Sequence, residues 1–306
     1  MLLYRPMPPL DRDLSAAPTI LVHAGAGPLG SELRDHRQEV IDTLDEVLRA
    51  AGERLQGGED AVAVATAAVE SMEDCEYFNA GYGAALCSDG SVELSAALMR
   101  GFDQAAGGVA GLRLIRHPIQ AAAIVLESGE VLMIGERADE LALARGAERW
   151  DNTDFVTEKQ RARLLASPET KPEDRGTVGA VCLDAHGRLA AATSTGGFTG
   201  QPPGRVGDSP LIGAGTWADA HVAVSCTGDG EAFIRAGLAR WLAAMLAQGI
   251  GVEQGAERAL AEVGRLGGQG GLIALDRSGQ ATLPFSTEAM PRGIWRADGP
   301  LQVRLT

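Results

Sequence analysis

Apolar residues recur along this chain with two periods, and the changes of period divide it into elements. Thr19-Ile20-Leu21-Val22-His23 is a short apolar run that reads as a buried strand, closed by the small residues Ala24-Gly25-Ala26-Gly27. Val40, Ile41, Leu44, Val47, Leu48, Ala51 and Leu55 then follow at helical spacing until Gly57-Gly58. A second helix, from about Glu59 to Met72, is so rich in Ala and Val that it is expected to be buried on most sides. Asp89-Gly90 between apolar runs at 84–88 and 91–98 predicts a hairpin. A strand near 109–115, a helix opened by Pro118 and a strand at 131–134 complete the first half.

The pattern then breaks. Residues 151–176 hold six acids, five bases and two prolines with few large apolar groups, so the stretch reads as a flexible linker. Order returns at Thr177, with apolar strands at 178–183 and 189–193 joined by Asp184-Ala185-His186-Gly187-Arg188. A Gly-rich region, a strand at 222–226, two helices and a hairpin from 271–276 to 281–284 follow. One of those helices is expected to carry Ile234, Leu238, Trp241, Leu242 and Met245 on a single face. Residues 1–18 read as a loose, Pro-rich lead-in, and no internal repeat is visible. Strands in the middle with helix pairs at each end suggest sheets covered on both faces by helices, as one composite domain of 19–176 and 177–306.

Charge narrows the partners. With 27 Lys+Arg against 41 Asp+Glu in 306 residues, a formal charge of −14 repels nucleic acid. No apolar run is long enough to span a membrane, and the proline-broken N-terminus lacks the apolar core of a signal peptide. Cys75, Cys87, Cys182 and Cys226 are scattered without a C-x-x-C pair, so reduced thiols and a cytoplasmic location are expected.

The junction at Gly176-Thr177 carries the sharpest chemistry. A strand begins immediately after the charged stretch, and cutting that bond would give Thr177 both a hydroxyl nucleophile and an α-amine. A free α-amine has a pKa of about 7.7–8.0, so it can take the hydroxyl proton near neutrality. Gly176 suits the strained backbone that such a cut needs. On the dipeptide alone, a plain Gly-Thr start to a strand remains open.

Further segments bear on that choice: GTVGAVCL (176–183), LAAATSTGG (189–197), GRVGDSP (204–210), VSCTGDGE (224–231), LVHAGAG (21–27), FNAGYGAAL (78–86), GGQGGLIALD (267–276) and LPFSTEAM (283–290). Together they resemble the plant-type asparaginase/isoaspartyl peptidase family of N-terminal nucleophile hydrolases, in order, from about Thr19 to Trp295. The resemblance implies a four-layer αββα sandwich, made as a precursor and self-cleaved between Gly176 and Thr177. The cleaved protein would be a dimer of αβ units that hydrolyses L-asparagine or β-aspartyl dipeptides to L-aspartate.

By the same resemblance Thr177 is the nucleophile and Thr195 the hydroxyl that tunes it. Arg205 would clamp the substrate α-carboxylate, and Asp208 would accept its α-ammonium. Thr227 and Gly228 would be the oxyanion donors, and at Gly230 the backbone would approach the substrate amino group. Read without the family, Arg205 and Asp208 could be a solvated turn, and 226–230 a capped strand-to-helix turn. The resemblance implies no catalytic cofactor. It does imply a structural sodium ion on the main-chain oxygens of Met72, Glu73, Cys75, Phe78, Ala80 and Tyr82, with Asn79 bracing that loop beside Thr177.

Competing chemistry has little support. The histidines (His23, His36, His117, His186, His221) lack zinc-ligand spacing, no G-x-S-x-G elbow is present, and the Gly-rich segments lack a P-loop lysine. The chain departs from the family pattern at Ala24, at Ser95 in Glu93-Leu94-Ser95-Ala96, and at Arg100 in Met99-Arg100-Gly101. The alternatives are a glycosylasparaginase-like amidase on the same fold, against which Gly176 argues, and a poorly processed or non-catalytic homologue.

Overall fold

The computed structural model describes residues 16–29, 31–166 and 176–306. The chain runs β1 (Thr19–Ala24), α1 (Ser31–Asp35), α2 (Arg37–Gln56), α3 (Ala61–Glu73), β2 (Leu94–Arg100), β3 (Ala106–Leu112), α4 (Pro118–Ser128), β4 (Leu132–Ile134), α5 (Gly135–Ala144) and α6 (Glu158–Ala166). After the junction come β5 (Val178–Leu183), β6 (Leu189–Thr195), β7 (Thr216–Ala218), β8 (Val222–Gly228), α7 (Gly230–Ala236), α8 (Leu238–Ala247) and α9 (Val252–Arg265). The chain closes with β9 (Gly270–Asp276), β10 (Ala281–Thr282), β11 (Arg292–Arg296) and β12 (Gln302–Arg304).

An eight-stranded sheet in the order β12-β11-β1-β5-β6-β2-β3-β4 faces a four-stranded sheet, β10-β9-β8-β7. Three apolar clusters fill the spaces between layers, as a four-layer α/β/β/α sandwich requires. Leu44, Leu48, Val64 and Val69 from α2 and α3 pack with Ile20, Val178 and Ala192 of the large sheet. Leu21, Val181, Leu183, Ile273 and Leu275 close the gap between the sheets. Phe233, Leu238, Leu242 and Val263 from the last helices cover Val224 and Leu272 of the small sheet. Leu44 and Leu48 are fully buried, and each such leucine contributes about 1.5–3 kcal/mol. Asp60 caps α3 by accepting from the Val62 and Ala63 amides at 3.0 and 3.1 Å, which is worth about 1 kcal/mol.

Three expectations are corrected. Asp89-Gly90 does turn the chain, through Gly90 N to Cys87 O at 2.9 Å, but its arms are not a hairpin ladder. The Asn152 side-chain amide takes both backbone groups of Val92 (3.0 and 2.8 Å), and the strand begins only at Leu94. Ile234 and Leu238 do not share a helix, because Gly237 adopts a left-handed conformation between α7 and α8. Within the expected linker, residues 152–155 form a 3-10 turn and 158–166 form α6. Fully buried Phe155 and nearly buried Gln160 anchor this part despite its charge. The rest of the expected linker, 167–175, and residues 1–15 of the lead-in lie outside the described residues. No helix among the described residues is long and apolar enough to cross a membrane.

Candidate active site

Register brings the two threonines together. β5 and β6 are antiparallel, with Val178 opposite Ser194, so Thr177 just ahead of β5 meets Thr195 at the end of β6. Both are buried, and the Thr177 hydroxyl donates to Thr195 Oγ1 at 3.2 Å. Thr195 in turn donates to the Gly176 carbonyl at 2.9 Å and accepts from Gly197 N at 3.0 Å. One hydroxyl thus uses its single proton and both lone pairs. A second donor, Asn79 Nδ2, reaches the same Gly176 carbonyl at 3.1 Å. That carbonyl, next to a hydroxyl nucleophile, therefore carries two donors that would stabilise a developing oxyanion. Asn79 is itself fixed, donating to Gly197 O at 2.6 Å and accepting from Ala85 N at 2.8 Å.

A small cleft opens beside this pair, lined by Gly176, Thr177, Thr195, Arg205, Asp208, Gly228, Gly230 and Glu231, among others. Arg205 and Asp208 sit on the long connection between β6 and β7 and face one another across Gly230, the first residue of α7. A Cβ added at Gly230 would stand 2.9 Å from Asp208 Oδ1 and 3.0 Å from Arg205 Nη2. The gap between guanidinium and carboxylate is therefore open only because residue 230 has no side chain. The Arg205 guanidinium stacks on Phe198, 4.8 Å from the ring centroid, and its Nε and Nη2 contact Glu231 Oε1 at 3.0 and 2.9 Å. Asp208 is 4 % exposed, and its Oδ2 has no hydrogen-bond partner among the described residues. Burial raises its pKa to about 7 against the opposing pull of Arg205. An anion receptor and a buried, underpartnered carboxylate side by side fit the head of a free α-amino acid.

Gly228 reaches the cleft from the small sheet with φ 144°, a conformation reserved for glycine, and a Cβ there would collide with the Gln269 carbonyl. Thr227 lies behind it, fully buried, and its hydroxyl accepts from Ala26 N at 3.1 Å, which leaves its own proton uncommitted to that bond. His23, also fully buried, contacts Ser225 Oγ at 3.0 Å through Nε2 and accepts from Gly25 N at 3.5 Å through Nδ1. Burial pushes its pKa down to about 3, so it is neutral at physiological pH. Of the unusual positions, Ala24 pairs with Val178, and Ser95 lies opposite Thr195. Arg100 sits at the other end of β2, paired with Asp103 and Glu127, away from the cleft.

The expected cation loop offers oxygen donors. The carbonyls of Cys75, Glu76 and Phe78 converge on Gly83, with those of Cys75 and Glu76 2.9 Å from where a Cβ would stand, and the Glu73 carbonyl lies against Gly81. Oxygen is the donor type a hard cation takes, so the Glu73, Cys75 and Phe78 carbonyls fit such an ion in kind, whereas the Glu76 carbonyl, outside the expected set, accepts from Lys159 Nζ at 2.8 Å. Among the described residues no His, Cys, Asp and Glu group could hold a metal through side chains.

All the expected catalytic and substrate-binding positions therefore gather at one end of the two sheets, with Thr227 just behind the cleft wall. Gly197, Phe198, Gly207, Ser209 and Glu231 also line the cleft without having been assigned a role. All but Phe198 lie in the segments that carry the resemblance. A family model described as "Asparaginase" matches residues 16–304. An Escherichia coli (strain K12) protein named isoaspartyl peptidase is 45% identical over 292 residues, 89% of this chain and 91% of that protein. A Mus musculus protein named isoaspartyl peptidase/L-asparaginase is 36% identical over 310 residues, covering 96% and 93% of the two chains.

Proposed function

The chain belongs to the asparaginase family, and from that premise we propose that it is a self-cleaving threonine hydrolase acting on β-aspartyl amides. Its substrates are L-asparagine and isoaspartyl dipeptides, and its common product is L-aspartate. The observation that carries this is the Thr177–Thr195–Gly176 hydrogen-bond set facing Arg205 and Asp208 across one cleft.

In processing, Thr177 Oγ1 adds to the Gly176 carbonyl carbon while Asn79 and Thr195 bear the oxygen. The Gly176–Thr177 C–N bond then breaks, the hydroxyl proton passes to the released amine, and water hydrolyses the ester. In turnover that amine takes the proton from the Thr177 hydroxyl, which attacks the β-carbonyl of substrate. The amide proton of Gly228 at the cleft wall, supported by the Thr227 hydroxyl just behind it, is assigned to the oxyanion. Ammonia or an amino acid leaves with the proton, and water releases L-aspartate from the acyl-enzyme. Arg205 receives the α-carboxylate, and Asp208 the α-ammonium. The close approach at Gly230 supports that assignment.

A sodium ion would be held by the main-chain oxygens of the 72–82 loop and would stiffen the segment that carries Asn79. A dimer of αβ units in the cytoplasm completes the reading, and the four free cysteines fit a reducing compartment. The direct test is aspartate release from L-asparagine and from a β-aspartyl dipeptide by the processed protein and by Thr177→Ala. Turnover by the Thr177→Ala chain would disprove the nucleophile.

A further inference from the structure

The segment expected to be a linker is fastened to the loop that carries Asn79. Gln160 is nearly buried, and its Nε2 donates to the Gly83 carbonyl at 2.8 Å. Lys159 Nζ donates to the Glu76 carbonyl at 2.8 Å and lies 5.1 Å from the centre of the Tyr77 ring. Trp150 meets Tyr82 edge-on at 5.9 Å and rests on buried Phe155 at 5.2 Å. The loop is thus held near both ends, at Glu76–Tyr77 and at Tyr82–Gly83. Between these points Asn79 extends to the Gly176 carbonyl. No other element described before the junction lies closer to Thr177 in sequence than α6.

A donor stabilises a developing oxyanion only if it is already aimed when the charge forms. Here Asn79 is fixed by its own bonds to Gly197, Ala85 and Gly196, and the short loop of Asn79-Ala80-Gly81 is held further at its two ends by residues from the chain just ahead of the cut. We propose that residues 150–166 are a clamp for self-cleavage. Gln160 and Lys159 are its positioning residues, acting through the loop and Asn79 on the carbonyl that Thr177 attacks. This inference rests on the reading of Gly176–Thr177 as the cleavage site. Once that bond is cut, the Gly176 carbonyl is no longer the reacting group, so the clamp serves processing far more than turnover.

The test follows precursor loss by intact mass after cell-free synthesis, for wild type, Gln160→Leu, Lys159→Met and the conservative Lys159→Arg. Loss of the buried Gln160 bond should slow cleavage about tenfold and loss of the Lys159 contact about threefold, with Lys159→Arg close to wild type. After processing is complete, kcat and KM on a β-aspartyl dipeptide should stay within about twofold of wild type for every variant. Should Gln160→Leu fail to fold, Lys159→Met, at a half-buried position, decides alone. Wild-type cleavage rates in the variants would overturn the clamp, as would kcat falling in proportion to cleavage. A wild-type chain that never cleaves would overturn the cleavage site and the clamp together, which separates the two failures.

Discussion

Replacing Thr195 with valine keeps the side-chain shape and removes one hydroxyl that makes three contacts. The Gly176 carbonyl loses its 2.9 Å donor and keeps only Asn79 at 3.1 Å. Thr177 Oγ1 loses its 3.2 Å acceptor, and Gly197 N loses its 3.0 Å partner. Removing one of two donors from a developing oxyanion typically costs about 10²–10³ in rate, or about 3–4 kcal/mol. The unpaired Gly197 amide adds about 1–3 kcal/mol of lost stability, which thermal unfolding would register. Thr195→Ser keeps every hydrogen bond and gives up a single methyl, so its cleavage should stay within about tenfold of wild type. The assay is precursor decay by intact mass at fixed temperature, scored against unfolding temperature for each variant. If Thr195→Val cleaves within about threefold of wild type while folded, the hydroxyl does not act on the Gly176 carbonyl and the argument fails.

Asp208 must be ionised to accept an ammonium, and its free-enzyme pKa lies near 7. Below that pH it is protonated, so kcat/KM should rise with pH in two steps, through about 7 for Asp208 and through about 7.7–8.0 for the Thr177 amine. Asp208→Asn removes the lower step along with most binding and leaves the upper one. Gly230→Ala should raise KM for L-asparagine by at least about tenfold, because the added methyl fills the gap between Asp208 and Arg205. Unchanged KM would place the amino-acid head elsewhere. Arg205→Lys removes the fork that meets a carboxylate with two bonds, and KM should rise about 10–100-fold with kcat changed less. Buried His23 binds a proton at 6.5 when unfolded and only near 3 when folded. The unfolded state therefore takes up more protons between those values, and this group's stabilisation is lost as pH falls below about 6.5. His23→Gln should flatten that part of a stability–pH curve measured by denaturant unfolding.

Much of this site is legible in the chain because it is built at strand ends. Apolar strands are legible at 178–183 and 189–193; in the structure the second runs on to Thr195, and the antiparallel register then brings its hydroxyl to that of Thr177. Arg205 and Asp208 are legible as a charged pair in a Gly-rich loop, whereas their separation by Gly230 depends on where α7 begins. Phe198 and Glu231 could not be assigned to Arg205, since a stacking ring and a partner carboxylate are identified by proximity rather than by spacing. The linker misled for a physical reason: within its described part, 151–166, most charges are exposed, but Gln160 and half-buried Leu164, four residues apart on α6, face inward. Asp89-Gly90 misled differently, because a turn dipeptide specifies the bend while the ladder needs free backbone partners. At Val92 the Asn152 side chain supplies them instead.

Intact-mass analysis of the freshly purified chain under denaturing conditions, with identification of each N-terminus, tests the central claim most directly. The account predicts two chains, one ending at Gly176 and one beginning at Thr177, whose masses sum to the 31.8 kDa precursor plus one water. A single intact chain that nevertheless releases aspartate from β-aspartyl substrates would contradict it.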